Sequence, residues 1–340
     1  MPKKYHIITY GCQMNKSDSR TISLFLEKKG YKKSLKQEKA DLIVVNMCSV
    51  RQSAVDRVFG LSRNLAKLKT DNPRLKTILT GCILKSDRKK FIERFDEIKD
   101  KTDYLKVRPG YENDSLAYIP ISNGCNNYCS YCVVPFVRGR LVCYSHKKIL
   151  SQIRAAIKNK VKNIWLLGQN VNDYKSPDNK RINFSRLVKM VDGLPGNFIF
   201  FFTSPHPKNF SNQLIAYLAD CKKFGYYINL PLQSGSNLIL KKMNRKYKAE
   251  EYCLLVEKIR KSMPQIKLST DIIVGFPGEG QKEFYQTVNL VKKIKFNWAY
   301  ISKYSPRQGT TAYALSDNVC LAEKKKRERI LRQIINEKNK

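Results

Sequence analysis

From Tyr5 onward the chain repeats one pattern, a short apolar, β-branched run followed by an amphipathic helical stretch. That alternation restricts the fold to parallel strands joined and covered by helices, an α/β class. In the N-terminal part, strands are predicted at 5–9, 42–46 and 77–80, with helices near 17–29, 50–69 and 88–99. A looser stretch from Tyr104 to Ser115, with Pro109-Gly110 and Asn113-Asp114, reads as a linker. A second series follows, with strands predicted at 117–122, 163–167, 197–203, 226–230, 267–274 and 298–304. Helices fall between them, for example at 147–158, 247–262 and 282–294. Six such strand–helix units predict an open, partial (β/α)6 barrel rather than a closed eight-fold one. The expected divisions are 1–105, 115–320 and a basic C-terminal helix at 321–340. In folds of this kind the functional residues gather at the carboxyl ends of the strands.

The chemistry is concentrated in cysteines placed at those ends. Gly124-Cys125-Asn126-Asn127-Tyr128-Cys129-Ser130-Tyr131-Cys132 follows the first strand of the second series. Three thiolates at spacings of four and three can wrap one cubane iron–sulfur cluster and leave its fourth iron open. An open iron can chelate the amino and carboxylate groups of a methionine moiety, which permits one-electron cleavage of S-adenosylmethionine (SAM) to a 5′-deoxyadenosyl radical. A zinc ribbon would want a second paired motif, and the sequence has none. Cys12, Cys48 and Cys82 form a second set, each after an N-terminal strand, so parallel neighbours bring them together. Glycines before Cys12 and Cys82 allow tight turns there. Of the ten cysteines, Cys143, Cys221, Cys253 and Cys320 share no pattern and read as ordinary thiols. His206, between Pro205 and Pro207, reads as a turn residue rather than a ligand.

Charge narrows the partner. Sixty-five Lys and Arg against 28 Asp and Glu leave a formal charge of +37, a field that draws polyanions and points to nucleic acid. No apolar run approaches the roughly 18 residues of a membrane span, and the first twelve residues are too short a signal peptide. A cytoplasmic protein is expected, and its cysteines then argue for metal or catalysis rather than disulfides.

At this point the sequence resembles the radical-SAM methylthiotransferases, most closely their MiaB type, from Tyr5 to about Ala314. The resemblance rests on Tyr10-Gly11-Cys12-Gln13-Met14-Asn15, Asn46-Met47-Cys48-Ser49-Val50-Arg51, and Gly124 to Cys132 continuing into Val133-Val134-Pro135-Phe136. Leu166-Leu167-Gly168-Gln169-Asn170-Val171-Asn172 separates the MiaB type from the other branches. Leu230 to Ser236 and Asp271 to Glu279 match as well. What the resemblance implies is a parallel three-layer α/β methylthiotransferase domain carrying an auxiliary 4Fe–4S cluster on Cys12, Cys48 and Cys82. A radical-SAM barrel with a second 4Fe–4S cluster follows, and then an RNA-binding TRAM domain, for which the sequence leaves no room before Lys340. The implied reaction adds a methylthio group to carbon 2 of N6-isopentenyladenosine beside the anticodon of tRNA. Carbon 2 carries an unactivated C–H bond, which a carbon radical can break and an acid–base residue cannot. One SAM then donates the methyl and another the radical. A reductant such as flavodoxin or ferredoxin and a monomeric state are expected.

The resemblance also implies a SAM pocket lined from the strand ends. Tyr131 is expected against the adenine, Gly168 and Gln169 beside the methionine part, and Gln233 and Ser234 near the ribose. Gly275 is expected at the adenine edge, with Asp271 nearby. One departure stands out. After Arg138-Gly139-Arg140 the family continues with Glu and then Ser-Arg-Pro, whereas Leu141, Cys143, Tyr144 and Ser145 stand here, which puts any ion pair in that stretch in question. The competing readings are methylthiolation of threonylcarbamoyladenosine or of a ribosomal protein and, from another class, a non-catalytic iron–sulfur RNA-binding or redox-sensing protein.

Overall fold

The structure, a computed structural model, describes residues 2–104 and 115–337. The expected linker lies outside the described residues at 105–114, as do the last three residues of the chain. Two compact units are present, Met1–Asn113 with Phe136–Gly139, and Asp114–Pro135 with Arg140–Lys340.

The first unit is built on β1 (Lys4–Thr9), α1 (Gln13–Lys28), β2 (Lys32–Lys33), β3 (Leu42–Cys48), α2 (Gln52–Asp71), β4 (Lys76–Cys82), α3 (Lys85–Phe91) and β5 (Glu97–Ile98). Its five strands are parallel in the order β2-β1-β3-β4-β5. Successive residues of β3 serve opposite layers. Leu42 and Val44 pack with Ile22 and Leu26 of α1, while Ile43, Val45 and Met47 pack with Val55, Val58 and Leu65 of α2. The expected three layers follow from that alternation. The strand order reverses between β1 and β3, and a crevice opens beyond their carboxyl ends at such a point. The helix predicted at 88–99 ends instead at Phe91. Asp96 accepts hydrogen bonds from the Thr77 backbone N–H (2.7 Å) and hydroxyl (2.9 Å), which turns the chain back so that Glu97 and Ile98 join the sheet edge.

The second unit comprises β6 (Leu116–Pro120), β7 (Ser122–Asn123), α4 (Val134–Arg138, shared with the first unit), β8 (Val142–Cys143), α5 (His146–Lys158), β9 (Asn163–Leu167), α6 (Phe184–Asp192), β10 (Ile199–Phe202), α7 (Asn212–Asp220), β11 (Tyr227–Asn229), α8 (Asn237–Lys242), α9 (Ala249–Ser262), β12 (Lys267–Val274), α10 (Gln281–Ile294), β13 (Trp298–Lys303) and α11 (Leu321–Glu337). Parallel ladders β6-β9-β10 and β11-β12-β13 form its two halves. Bonds from Phe200 N–H to the Lys223 carbonyl (2.8 Å) and from Gly225 N–H to the Phe200 carbonyl (3.0 Å) join them. A Cβ on Gly225 would lie 2.0 Å from the Phe201 ring, so only glycine fits at that seam. The six parallel strands make the open partial barrel.

Alternation along these strands sorts two faces. Phe202 is fully buried and meets Phe184 of α6 edge-on at 5.2 Å, on the helix-covered side. Trp165, Phe201, Tyr227 and Trp298 are half-buried and touch in sequence, stacked at 4.8 Å (Trp165–Phe201) and 5.0 Å (Tyr227–Trp298) and edge-on at 6.0 Å (Trp165–Tyr227). The last two pairs reach across an intervening strand, which places them on the concave side.

The basic C-terminal helix α11 buries Leu331 and Ile335, and Lys324 and Arg327 lie on the same buried stripe. Lys324 Nζ is 2.6 Å from Asp317, and Arg327 Nη1 is 2.8 Å from Glu279. Buried acceptors on the barrel draw these two cations inward. Lys325, Lys326 and Arg329 remain exposed.

Candidate functional site

In the first unit, Cys12 follows β1, Cys48 ends β3 and Cys82 ends β4, with Cys48 and Cys82 in direct register. Two buried asparagines, which the sequence reading passed over, shape this end of the sheet. Asn15 donates to Asn46 Oδ1 and to the Met47 carbonyl, both at 3.1 Å, and Asn46 donates back to the Asn15 carbonyl at 2.8 Å. The glycines do fit tightly. A Cβ on Gly81 (φ +111°) would come 2.3 Å from the Met47 carbonyl, and one on Gly11 (φ +130°) would come 2.9 Å from the Cys48 Cβ. Cys12 is exposed at the N-cap of α1. Hydrogen bonding to Cys82, and then burial, push the Cys48 thiol well above the usual thiol range. Iron binding at this trio must therefore release protons.

Arg138 also belongs to this unit. Its guanidinium pairs with Asp18 at 2.9 Å, both side chains nearly buried, and it lies within electrostatic reach of Cys82 and Cys12. This pair precedes the departing residues Leu141, Cys143, Tyr144 and Ser145 and is not the one questioned there. Leu141 and Tyr144 serve the backbone there, their N–H groups bonding Asn126 Oδ1 (3.0 Å) and the Ile121 carbonyl (2.9 Å).

In the second unit the loop 124–132 leaves the end of β7, and each of its three cysteines receives one hydrogen bond. Asn127 N–H points to Cys125 Sγ (3.5 Å), Arg245 Nη1 to Cys129 Sγ (3.3 Å) and Val134 N–H to Cys132 Sγ (3.5 Å). One donor per sulfur suits thiolate ligands, whose spare lone pairs want N–H partners. Burial raises the Cys125 thiol and lifts Cys132 to about 12. Among the described residues no three His, Cys, Asp or Glu side chains converge on a single ion. A cubane spreads its cysteines over separate irons, so its ligands need not share a point.

The expected SAM residues fall into two groups. Gln233, at φ +68°, presents a buried side-chain oxygen without a hydrogen-bond partner, as do Ser122 and Asn170. Such orphaned acceptors at strand ends fit a polar ligand. Asp271 is half-buried, its carboxylate accepting from Asn229 at 2.8 Å. The other residues are occupied within the protein. Gln169 Oε1 accepts from Gly124 N–H at 2.6 Å and so fixes the entrance of the cysteine loop. Gly168 makes room for Ser122, whose hydroxyl would be 2.7 Å from an added Cβ. The Ser234 hydroxyl is fully buried against Thr287 (3.3 Å) and Ser236 N–H (3.2 Å). Gly275 lies under the Lys324 stem and donates to Glu279 at 2.5 Å. Tyr131 packs against a core of Ile239, Met243, Phe276, Tyr304 and Ala312.

His206 caps the short helical turn Pro207–Asn209 and is kept neutral by burial and then by Arg245, its pKa near 3. It is the turn residue the sequence predicts. Cys143 is half-buried, Cys221 and Cys253 are buried and Cys320 is exposed.

Comparison with known proteins agrees with this geometry. Residues 4–100 match the family described as "Uncharacterized protein family UPF0004", and residues 119–291 match the Radical SAM superfamily. A "tRNA-2-methylthio-N(6)-dimethylallyladenosine synthase" of Clostridium novyi (strain NT) is 38% identical over 93% of this chain and 77% of that protein. The protein of the same name from Desulfitobacterium hafniense (strain Y51) is 37% identical over 100% of this chain and 82% of its own length. Among solved structures, the radical S-adenosylmethionine methyltransferase TsrM from Kitasatospora setae, with cobalamin and a [4Fe-4S] cluster bound, covers 92% of this chain and 77% of its own, with a TM-score of 0.66. At 13% identity that likeness speaks for the fold alone. With more than a third of the residues shared along almost its whole length, the chain belongs to the tRNA-2-methylthio-N(6)-dimethylallyladenosine synthase family of the radical SAM superfamily.

Proposed function

We propose that this protein adds a methylthio group to carbon 2 of N6-isopentenyladenosine (the dimethylallyl form) beside the anticodon of tRNA, using SAM and two 4Fe–4S clusters. The observation that carries the reading is the presence of two cysteine trios, one at the carboxyl ends of the parallel strands of the first unit and one in the loop that follows β6 and β7 in the second. Cys125, Cys129 and Cys132 hold one cluster, and Cys12, Cys48 and Cys82 hold the other. Bound there, the first cluster supplies the electron that cleaves SAM to a hydrogen-abstracting radical, and the second supplies the sulfur. Gln169 keeps the cysteine loop in register with β9, and the unpartnered oxygens of Gln233, Ser122 and Asn170 are offered to SAM. A reductant such as flavodoxin or ferredoxin, a monomeric state and a cytoplasmic location complete the proposal. Among the described residues no helix is long and apolar enough to cross a membrane.

Mass spectrometry of tRNA nucleosides after reaction with purified, cluster-loaded protein tests the substrate. Prenylated tRNA should gain the methylthio group and unprenylated tRNA should not. Equal reaction of both tRNAs with the unaltered enzyme would remove the prenyl requirement.

tRNA binding should weaken steeply with salt, by about 0.7 to 0.9 log units per neutralised phosphate. Replacing the exposed Lys325, Lys326 and Arg329 of α11 with Gln should flatten that slope by up to about 2 units. Deleting the whole helix would be a poor test, because it also strips Glu279 of Arg327. An unchanged slope in the triple variant would clear α11 of phosphate contact.

A further inference from the structure

The segment 242–245, at and after the end of α8, straps down the cysteine loop. Ser130 N–H bonds the Met243 carbonyl (3.0 Å), the Ser130 hydroxyl bonds the Lys242 carbonyl (2.8 Å), and Asn244 at φ +54° donates to the Tyr128 carbonyl (2.9 Å). The strap ends at Arg245, which is 9% exposed. Its Nε donates to the Tyr247 hydroxyl (3.1 Å), Nη2 to the Pro231 carbonyl (3.3 Å) and Nη1 to Cys129 Sγ (3.3 Å), and the guanidinium lies 5.0 Å from the Tyr247 ring centroid. The titratable groups within its electrostatic reach are Tyr131, Tyr247, Tyr252, Cys125, Cys129, Cys132 and His206. Among the described residues it pairs with no carboxylate, unlike Arg138, which has Asp18, and Arg327, which has Glu279 and Glu323. A buried guanidinium surrounded only by neutral acceptors is costly, because nothing replaces the water and counter-charge it gave up. Of the three groups that its guanidinium hydrogen-bonds, Cys129 is the one that becomes anionic on binding iron.

We infer that Arg245 is a positioning residue for the radical cluster, donating a charge-assisted hydrogen bond to the Cys129 thiolate and raising the reduction potential of the cluster on Cys125, Cys129 and Cys132. It rests on the reading of that trio as ligands. A cation 3.3 Å from a ligand sulfur favours the more negative, reduced state, so the single electron from the reductant is accepted more readily.

The test uses full-length protein in which Cys12, Cys48 and Cys82 are replaced by Ala, leaving one cluster to titrate. With Arg245→Met the one-electron reduction equilibrium should fall about tenfold, which is about 59 mV towards negative potential. Arg245→Lys, which keeps the charge, should recover most of that shift. Iron-free Arg245→Met should be more stable to urea than the iron-free parent, since an unpaired buried charge has gone. If the Met variant does not fold, Arg245→Gln takes its place with the same expectations. An unchanged potential at full iron content, an equal shift for Lys and Met, or a less stable iron-free variant would each overturn the inference. Failure of the underlying reading is distinct, since protein lacking Cys125, Cys129 and Cys132 would then keep all its iron.

Discussion

Protein in which Cys125, Cys129 and Cys132 are all replaced by Ala is expected to release no 5′-deoxyadenosine from SAM and to keep about four of about eight irons per chain. The loss should exceed about a thousandfold, because no acid–base group can substitute for one-electron cleavage of the sulfonium. Folding should survive. The loop is also held by Ser130, Asn244 and Gln169 through bonds that do not involve sulfur. The complementary triple variant, with Ala at Cys12, Cys48 and Cys82, should still cleave SAM but transfer no sulfur. Each trio lies within its own unit. Cys48 and Cys82 lie side by side in a ladder whose backbone bonds do not depend on the thiols, so Ala at both should cost little stability. Iron analysis and chromatography of the nucleoside product measure both expectations. Retention of SAM cleavage in the first variant, or its disappearance in a folded second variant, would undo this division of labour.

Much of the architecture was readable because it depends on periodicity. β9 (Asn163–Leu167) and β12 (Lys267–Val274) lie where their apolar runs predict them, and α10 (Gln281–Ile294) begins one residue earlier than its pattern. The misses have local physical causes. β2 and β5 are two-residue edge strands, too short to show any alternation, and β5 exists because Asp96 caps Thr77 across the sheet. At the cluster loops, cysteine spacing carried the information, since each ligand is named by its chemistry and its strand end. The supporting residues carried no such mark. Arg245 sits in the basic run Lys241-Lys242-Met243-Asn244-Arg245-Lys246, which reads as solvated surface, and only its three-dimensional neighbours reveal its burial. Gly168 and Gly275 show the converse. A family pattern places them beside SAM, while their immediate contacts are Ser122 and the Lys324 stem.

The C-terminal helix teaches the same lesson about charge and yields the second large effect. Arg327→Met is expected to destabilise the barrel by about 3 to 5 kcal/mol at neutral pH, because it leaves the Glu279 carboxylate buried and unpaired. Glu279 is 2% exposed, accepts from Arg327 Nη1 at 2.8 Å and from Gly275 N–H at 2.5 Å, and so ties α11 to the turn after β12. Burial already raises its pKa in the folded protein even with the arginine present. A carboxyl raised above its unfolded value contributes stability that is fully present below the unfolded pKa and is lost as pH rises through the folded one. Removing Arg327 raises the folded value further, so the deficit of the variant should be larger at about pH 8 than at about pH 5.5. Glu279→Gln combined with Arg327→Met should recover much of the loss, since a neutral amide can still accept from Gly275 without leaving a bare charge. Urea unfolding of the two variants and the parent at both pH values gives the comparison. A deficit that is independent of pH and unrelieved by Glu279→Gln would mean that the guanidinium's contact with the Phe284 ring, 5.3 Å from its centroid, rather than its pairing with Glu279, holds the helix in place.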